Sequence, residues 1–119
     1  MQYMLLVYEP RDAYAGENGQ GILEEMVARH MALAEELQAS GIQRGGAGLQ
    51  GVETATTVLT QGGQKTLHDG PFAETREHLG GYYLIDVPHL DDALAVARRI
   101  PGVDGTKIEV RPVIAYDDP

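Results

Sequence analysis

The chain of 119 residues has no cysteine and no tryptophan. Without cysteine, disulfides, zinc–thiolate sites and thiol nucleophiles are excluded. Basic residues are scarce as well: 9 Lys and Arg stand against 18 Asp and Glu, a formal net charge of −9. Duplex nucleic acid is a dense array of phosphates and repels such a surface. An anionic membrane surface does the same. No nucleic-acid and no membrane partner is therefore expected. The apolar start, Met1-Gln2-Tyr3-Met4-Leu5-Leu6-Val7-Tyr8, lacks a basic n-region and is far shorter than the roughly 20 residues of a membrane span. It reads as a first strand, and the protein as cytoplasmic. The histidines have no metal-ligand spacing and no dinucleotide fingerprint occurs, so no metal and no cofactor are expected.

What remains suits one folded unit. An apolar share of 43% supplies a core without staples, and the length fits a single domain spanning residues 1–119. The run Gln2 to Tyr8 predicts an interior strand, ended by Glu9-Pro10. Arg11 to Gly21 is polar and glycine-containing and reads as a loop. From about Ile22 to Ser40, the residues Leu23, Met26, His30, Leu33 and Leu37 recur at spacings of three and four, which places them on one helical stripe. Gly41 supplies a left-handed stop. Ile42 to Leu49 predicts a short strand broken by glycines. Thr56–Gln61 and Gln64–His68 flank Gly62-Gly63 and predict a hairpin in which Val58 faces Leu67 and Thr57 faces His68.

Asp69 to Gly80 shows little periodicity and reads as a connection. A strand over Gly81–Val87 follows, then a helix over about Leu90–Ile100 with Asp91 and Asp92 in its first turn. Lys107 to Ile114 predicts a last strand, placed at an edge because Pro112 cannot donate to a ladder. The order is that of a ferredoxin-like βαββαβ α+β fold with an inserted β-hairpin. Two helices cover only one face of such a sheet. A second copy is the simplest cover for the other, so a homodimer is expected.

His30 is the most informative single residue. A polar ring on an apolar stripe must find a partner or costs about 1–3 kcal/mol. Two roles stay open: a core histidine satisfied by a backbone carbonyl, or a proton-transfer group beside a cavity. Asp69-Gly70-Pro71-Phe72-Ala73-Glu74-Thr75-Arg76-Glu77 is the densest run of special residues. Read plainly, Asp-Gly-Pro is a turn. Read functionally, Asp69 is a carboxylate held at a sheet end, able to orient a histidine and raise its basicity. Gly70, Pro71, Phe72 and Glu74 of that loop, with Arg111 on the last strand, are the candidate substrate-binding residues.

Met1–Glu9, the Asp69–Glu77 run, Leu79-Gly-Gly-Tyr-Tyr-Leu-Ile-Asp-Val87 and Ile108-Glu-Val-Arg-Pro-Val113 closely resemble the YCII-related family, and within it the DGPF-motif subgroup; Arg76 stands where lysine is common. The resemblance covers nearly the whole chain. It implies a ferredoxin-like domain that dimerises through its sheets into an α+β barrel. It also implies a His–Asp pair for acid/base chemistry, since better-described relatives carry one and one relative eliminates chloride from a substituted hydroquinone. Their histidine lies in the first helix, eleven residues before a glycine, as His30 lies before Gly41; Asp69 is the match for the aspartate. Subgroup members are often associated with extracytoplasmic-function sigma factors. Two functions are thus expected: a small-molecule-binding protein using His30 and Asp69 as a catalytic pair, or a non-catalytic regulatory protein that binds a sigma factor.

Overall fold

Alternation in the first strand sets the architecture. In β1 (Gln2–Pro10) the side chains of Tyr3, Leu5 and Val7 are buried while Met4, Leu6 and Tyr8 are only half-buried. One face therefore meets the core and the other does not. The computed structural model describes residues 1–71 and 76–116. After β1 come α1 (Gly19–Ala39), β2 (Gln43–Gly48), β3 (Thr56–Gln61), β4 (Gln64–Asp69), β5 (Glu77–Asp86), α2 (Leu90–Ala97) and β6 (Lys107–Pro112). Four strands form an antiparallel sheet in the order β2-β5-β1-β6. With two helices, this is an α+β fold of ferredoxin-like order. β1 lies inside the sheet and β6 at its edge, as Pro112 requires.

Both helices pack on the face that carries Tyr3, Leu5, Val7, Tyr83 and Ile85. Leu33 and Leu37 of α1 and Ala93 and Val96 of α2 complete that core with Val87 and Ile100. Leu5, Leu37 and Ile85 are fully enclosed, and each such side chain contributes about 1.5–3 kcal/mol of burial. The chain measures 46 × 39 × 20 Å. Its shortest dimension is about one helix layer on one sheet, since packed layers lie about 10 Å apart. Among the described residues, no helix layer covers the sheet face bearing Met4, Leu6 and Leu84.

β3 and β4 form a separate two-stranded sheet with Val58 opposite Leu67 and Thr57 opposite His68. Gly62 and Gly63 turn it with φ of 59° and 77°, the left-handed pair that a two-residue hairpin loop needs. Val58 and Leu67 are 58% and 77% exposed.

Some boundaries differ from expectation. α1 begins at Gly19 rather than Ile22, inside the expected loop: Gly19 is buried, and a Cβ there would collide with the Tyr14 carbonyl. β5 begins at Glu77 rather than Gly81, because Gly80-Gly81 accommodates an irregularity instead of ending the strand. The pairing passes from Val7–Gly81 to Tyr8–Leu79, leaving Gly80 unmatched, the signature of a bulge. α2 ends at Ala97. The expected last turn continues only through tight bonds, Arg99 N–H to the Val96 carbonyl at 2.9 Å and Ile100 N–H to the Ala97 carbonyl at 3.2 Å. β6 stops at Pro112 rather than Ile114, although the Val113 N–H still reaches the Gln2 carbonyl at 2.9 Å.

Candidate functional site

The stripe of α1 meets the sheet unevenly. Met26, Leu33 and Leu37 are buried, whereas Leu23 and His30 are half-buried. Between these residues and the β2–β5–β1 side of the sheet lies a cavity of about 300 Å³. Its apolar wall includes Val7, Leu23, Met26, Val27, Met31 and Leu49. Glycines 46, 48, 80 and 81 line the sheet side and leave room where side chains would stand. The residues with polar side chains are Glu9, Tyr14, His30, Gln38, Gln43, Tyr82 and Tyr83.

His30 Nδ1 and the Tyr83 hydroxyl share a hydrogen bond of 2.6 Å, and the two rings are tilted with centroids 5.9 Å apart. Burial lowers the His30 pKa from its ordinary value. The charge of Glu9 and a hydrogen bond to the Pro101 carbonyl oppose that shift, while neighbouring Arg29 adds to it. Burial alone pushes the Tyr83 hydroxyl up to about 12. At neutral pH this favours a neutral imidazole beside a protonated phenol. With the phenol donating to Nδ1, the ring proton sits on Nε2.

Glu9, next to the last residue of β1, follows the alternation that turns Tyr3, Leu5 and Val7 inward. The Tyr14 hydroxyl donates to its Oε2. Burial, followed by the Glu9 hydrogen bond and charge, raises the Tyr14 pKa, so the phenol keeps its proton. Two local features hold this pair. The contact between Gly19 and the Tyr14 backbone fixes the approach to α1, and Gly80 leaves the space beside its strand that the Glu9 carboxylate fills.

The predicted site residues are dispersed. His30 lines the cavity. Asp69 is exposed at the end of β4 and is not among the residues that line the cavity. Gly70 is anchored at the base of the hairpin: its N–H donates to the Ala55 carbonyl at 2.7 Å and its carbonyl accepts from the Thr57 hydroxyl at 2.9 Å. Pro71 lines a second, more open hollow with Val52, Ala55 and Leu79. Phe72 and Glu74 lie outside the described residues. Arg111 is exposed on β6, the sheet edge opposite β2. Among the described residues, then, the carboxylate that lines the cavity with His30 is that of Glu9.

Glu9 and Tyr83 are not singled out by any sequence motif, although strand phase marks both as inward. Nothing in the sequence pattern marks Tyr14. Among the described residues, no group of three or more His, Asp or Glu side chains is placed to hold a metal ion. No helix among them is long and apolar enough to cross a membrane.

A family model of the YCII-related domain matches residues 1–117. An uncharacterized protein of Rhizobium meliloti (strain 1021) is 31% identical over 121 residues, covering 98% of this chain and 94% of that protein. The matched span takes in both helices, the four-stranded sheet, the hairpin and every residue of the cavity, and the chain belongs to the YCII-related family.

Proposed function

We propose that the protein binds a small molecule in the cavity under α1, and that His30 exchanges a proton with it. One observation carries this reading: a mainly apolar cavity of about 300 Å³ gathers a histidine, three tyrosines and a carboxylate at one end of the sheet. Apolar walls with a few convergent polar groups are the usual make-up of a ligand site. With Nδ1 accepting from the Tyr83 phenol, the imidazole acts as a base through it: the phenol passes its proton to Nδ1 as it takes one from the ligand. The working unit is a homodimer that buries the sheet face bearing Met4, Leu6 and Leu84.

A thermal-shift library followed by calorimetry tests the binding reading. Hits raise the melting temperature progressively with concentration, because a ligand stabilises the native state by RT ln(1 + [L]/Kd). For a hit, ¹⁵N spectra of the imidazole report whether His30 gains a proton when the ligand binds. In His30→Gln binding persists without any such transfer. An imidazole that keeps its protonation state in the complex removes His30 from the chemistry.

A second reading is a non-catalytic regulatory protein whose partner is a macromolecule such as a sigma factor. The hairpin supports it: Val58 and Leu67 stand opposite one another, 58% and 77% exposed. Val58→Lys with Leu67→Lys leaves cavity hits unchanged under the first reading and abolishes complex formation under the second.

A further inference from the structure

Among the described residues that line the cavity, Glu9 is the one carboxylic acid, and neither Lys nor Arg is present. Tyr14 and Tyr83 keep their protons there, and burial favours neutral His30. Gln38 and Gln43 are uncharged. Arg29 acts on His30 from the next position of α1, but it is exposed and does not line the cavity. Around the site the whole chain has a formal net charge of −9.

A ligand entering the cavity exchanges water for these walls. An anion would meet the Glu9 carboxylate with no cation to offset it, and burying an unpaired charge is unfavourable. A cation finds its counter-ion in place. Tyr14 does not use up that carboxylate. It donates a single hydrogen bond to Oε2, and a carboxylate offers about four acceptor positions. The rest of the ligand faces Leu23, Met26, Val27, Met31 and Leu49, which favour an apolar body.

We infer that the ligand is a small organic cation, a protonated amine on an apolar body, with Glu9 as its counter-ion. This deepens the binding reading above and rests on it. It gives a purpose to the space beside Gly80, since a side chain there would displace the carboxylate. It also assigns Tyr14 a positioning role: the phenol holds one carboxylate oxygen and leaves the other for the ligand.

Three probes of one shape separate the possibilities: benzylamine, benzyl alcohol and benzoate, titrated at neutral pH into isotopically labelled protein and followed by NMR. Benzylamine should bind about tenfold more tightly than benzyl alcohol, the difference expected of one charge-assisted contact. Benzoate should not bind. All cavity shifts should map around Glu9, His30 and Tyr83. Glu9→Gln should bring the amine down to the level of the alcohol. Tyr14→Phe, which keeps the carboxylate, should keep the preference. If Glu9→Gln does not fold, the ranking in the wild-type protein together with Tyr14→Phe decides.

Alcohol or benzoate binding as tightly as the amine overturns the cation inference and leaves the cavity reading standing. The cation inference is equally overturned if the amine perturbs only surface residues, or if Glu9→Gln retains the preference. If no probe perturbs the cavity, the inference fails, and the library screen separately decides whether anything binds there.

Discussion

Glu9 fills the space that a side chain at Gly80 would need. A Cβ built on Gly80 would collide with the Glu9 carboxylate, whereas one on Gly81 would meet the Ala47 carbonyl at 2.7 Å. The two adjacent glycines therefore serve different ends. Gly80 makes room for a functional group, and Gly81 lets β2 approach β5.

This difference predicts unequal costs. In Gly80→Ala the obstacle is the tip of a flexible side chain, which can swing aside. Stability should change by less than about 1 kcal/mol, and the Tyr14–Glu9 hydrogen bond should be lost. In Gly81→Ala the obstacle is backbone, so β2 must move, at about 1–3 kcal/mol. Urea unfolding of both variants provides the check. Equal losses would mean that Glu9 is not seated beside Gly80.

The strand bulge also shows where sequence reading succeeds and stops. The continuous apolar run from Gln2 to Tyr8, the helical stripe from Leu23 to Leu37 and the Gly62-Gly63 turn are local signals, and the elements they predict are present. Gly80-Gly81 reads locally as a strand end, and only pairing with β1 shows that the chain continues through it. The site divides in the same way. His30 stands out as a polar residue on an apolar stripe. Its neighbours are set by which strands lie side by side, 53 residues away in the case of Tyr83. Asp69 stands out through a turn motif, but a turn signal fixes local shape and not the direction in which a hairpin carries its end.

The depressed His30 pKa gives stability a pH dependence. The unfolded imidazole titrates near its ordinary value of about 6.5, and the folded one below it. Between the two values the unfolded chain binds more protons. His30 thus contributes stability that is present above about pH 6.5 and lost as pH falls through the folded pKa. Wild-type urea midpoints should fall from neutral pH to about pH 5 more steeply than those of His30→Gln. Parallel pH profiles would place the ring in a solvent-like setting.

Tyr83→Phe removes one hydroxyl from the core and leaves His30 Nδ1 without its 2.6 Å partner. The loss should be about 1 kcal/mol. In ¹⁵N spectra of the imidazole, the ring should also lose its preference for carrying the proton on Nε2. An unchanged tautomer would mean that Pro101, and not Tyr83, sets the ring.

The homodimer can be tested independently of any ligand. Light scattering at micromolar concentration should give twice the chain mass for the wild type. Leu84→Glu, on the half-buried face opposite the helices, should give the single chain mass, since a charge at the centre of an apolar contact is strongly unfavourable. A wild-type monomer would leave that face open to solvent.

The proposed function turns on whether the cavity beside His30 is a ligand site. Chemical-shift mapping of the strongest thermal-shift hit on the wild-type protein measures this most directly. Saturable shifts centred on His30, Tyr83 and Glu9, with the hairpin residues Val58 and Leu67 silent, are the predicted result. Shifts confined to the hairpin or to the sheet face of Met4 and Leu84, with the His30 ring unmoved, would contradict it.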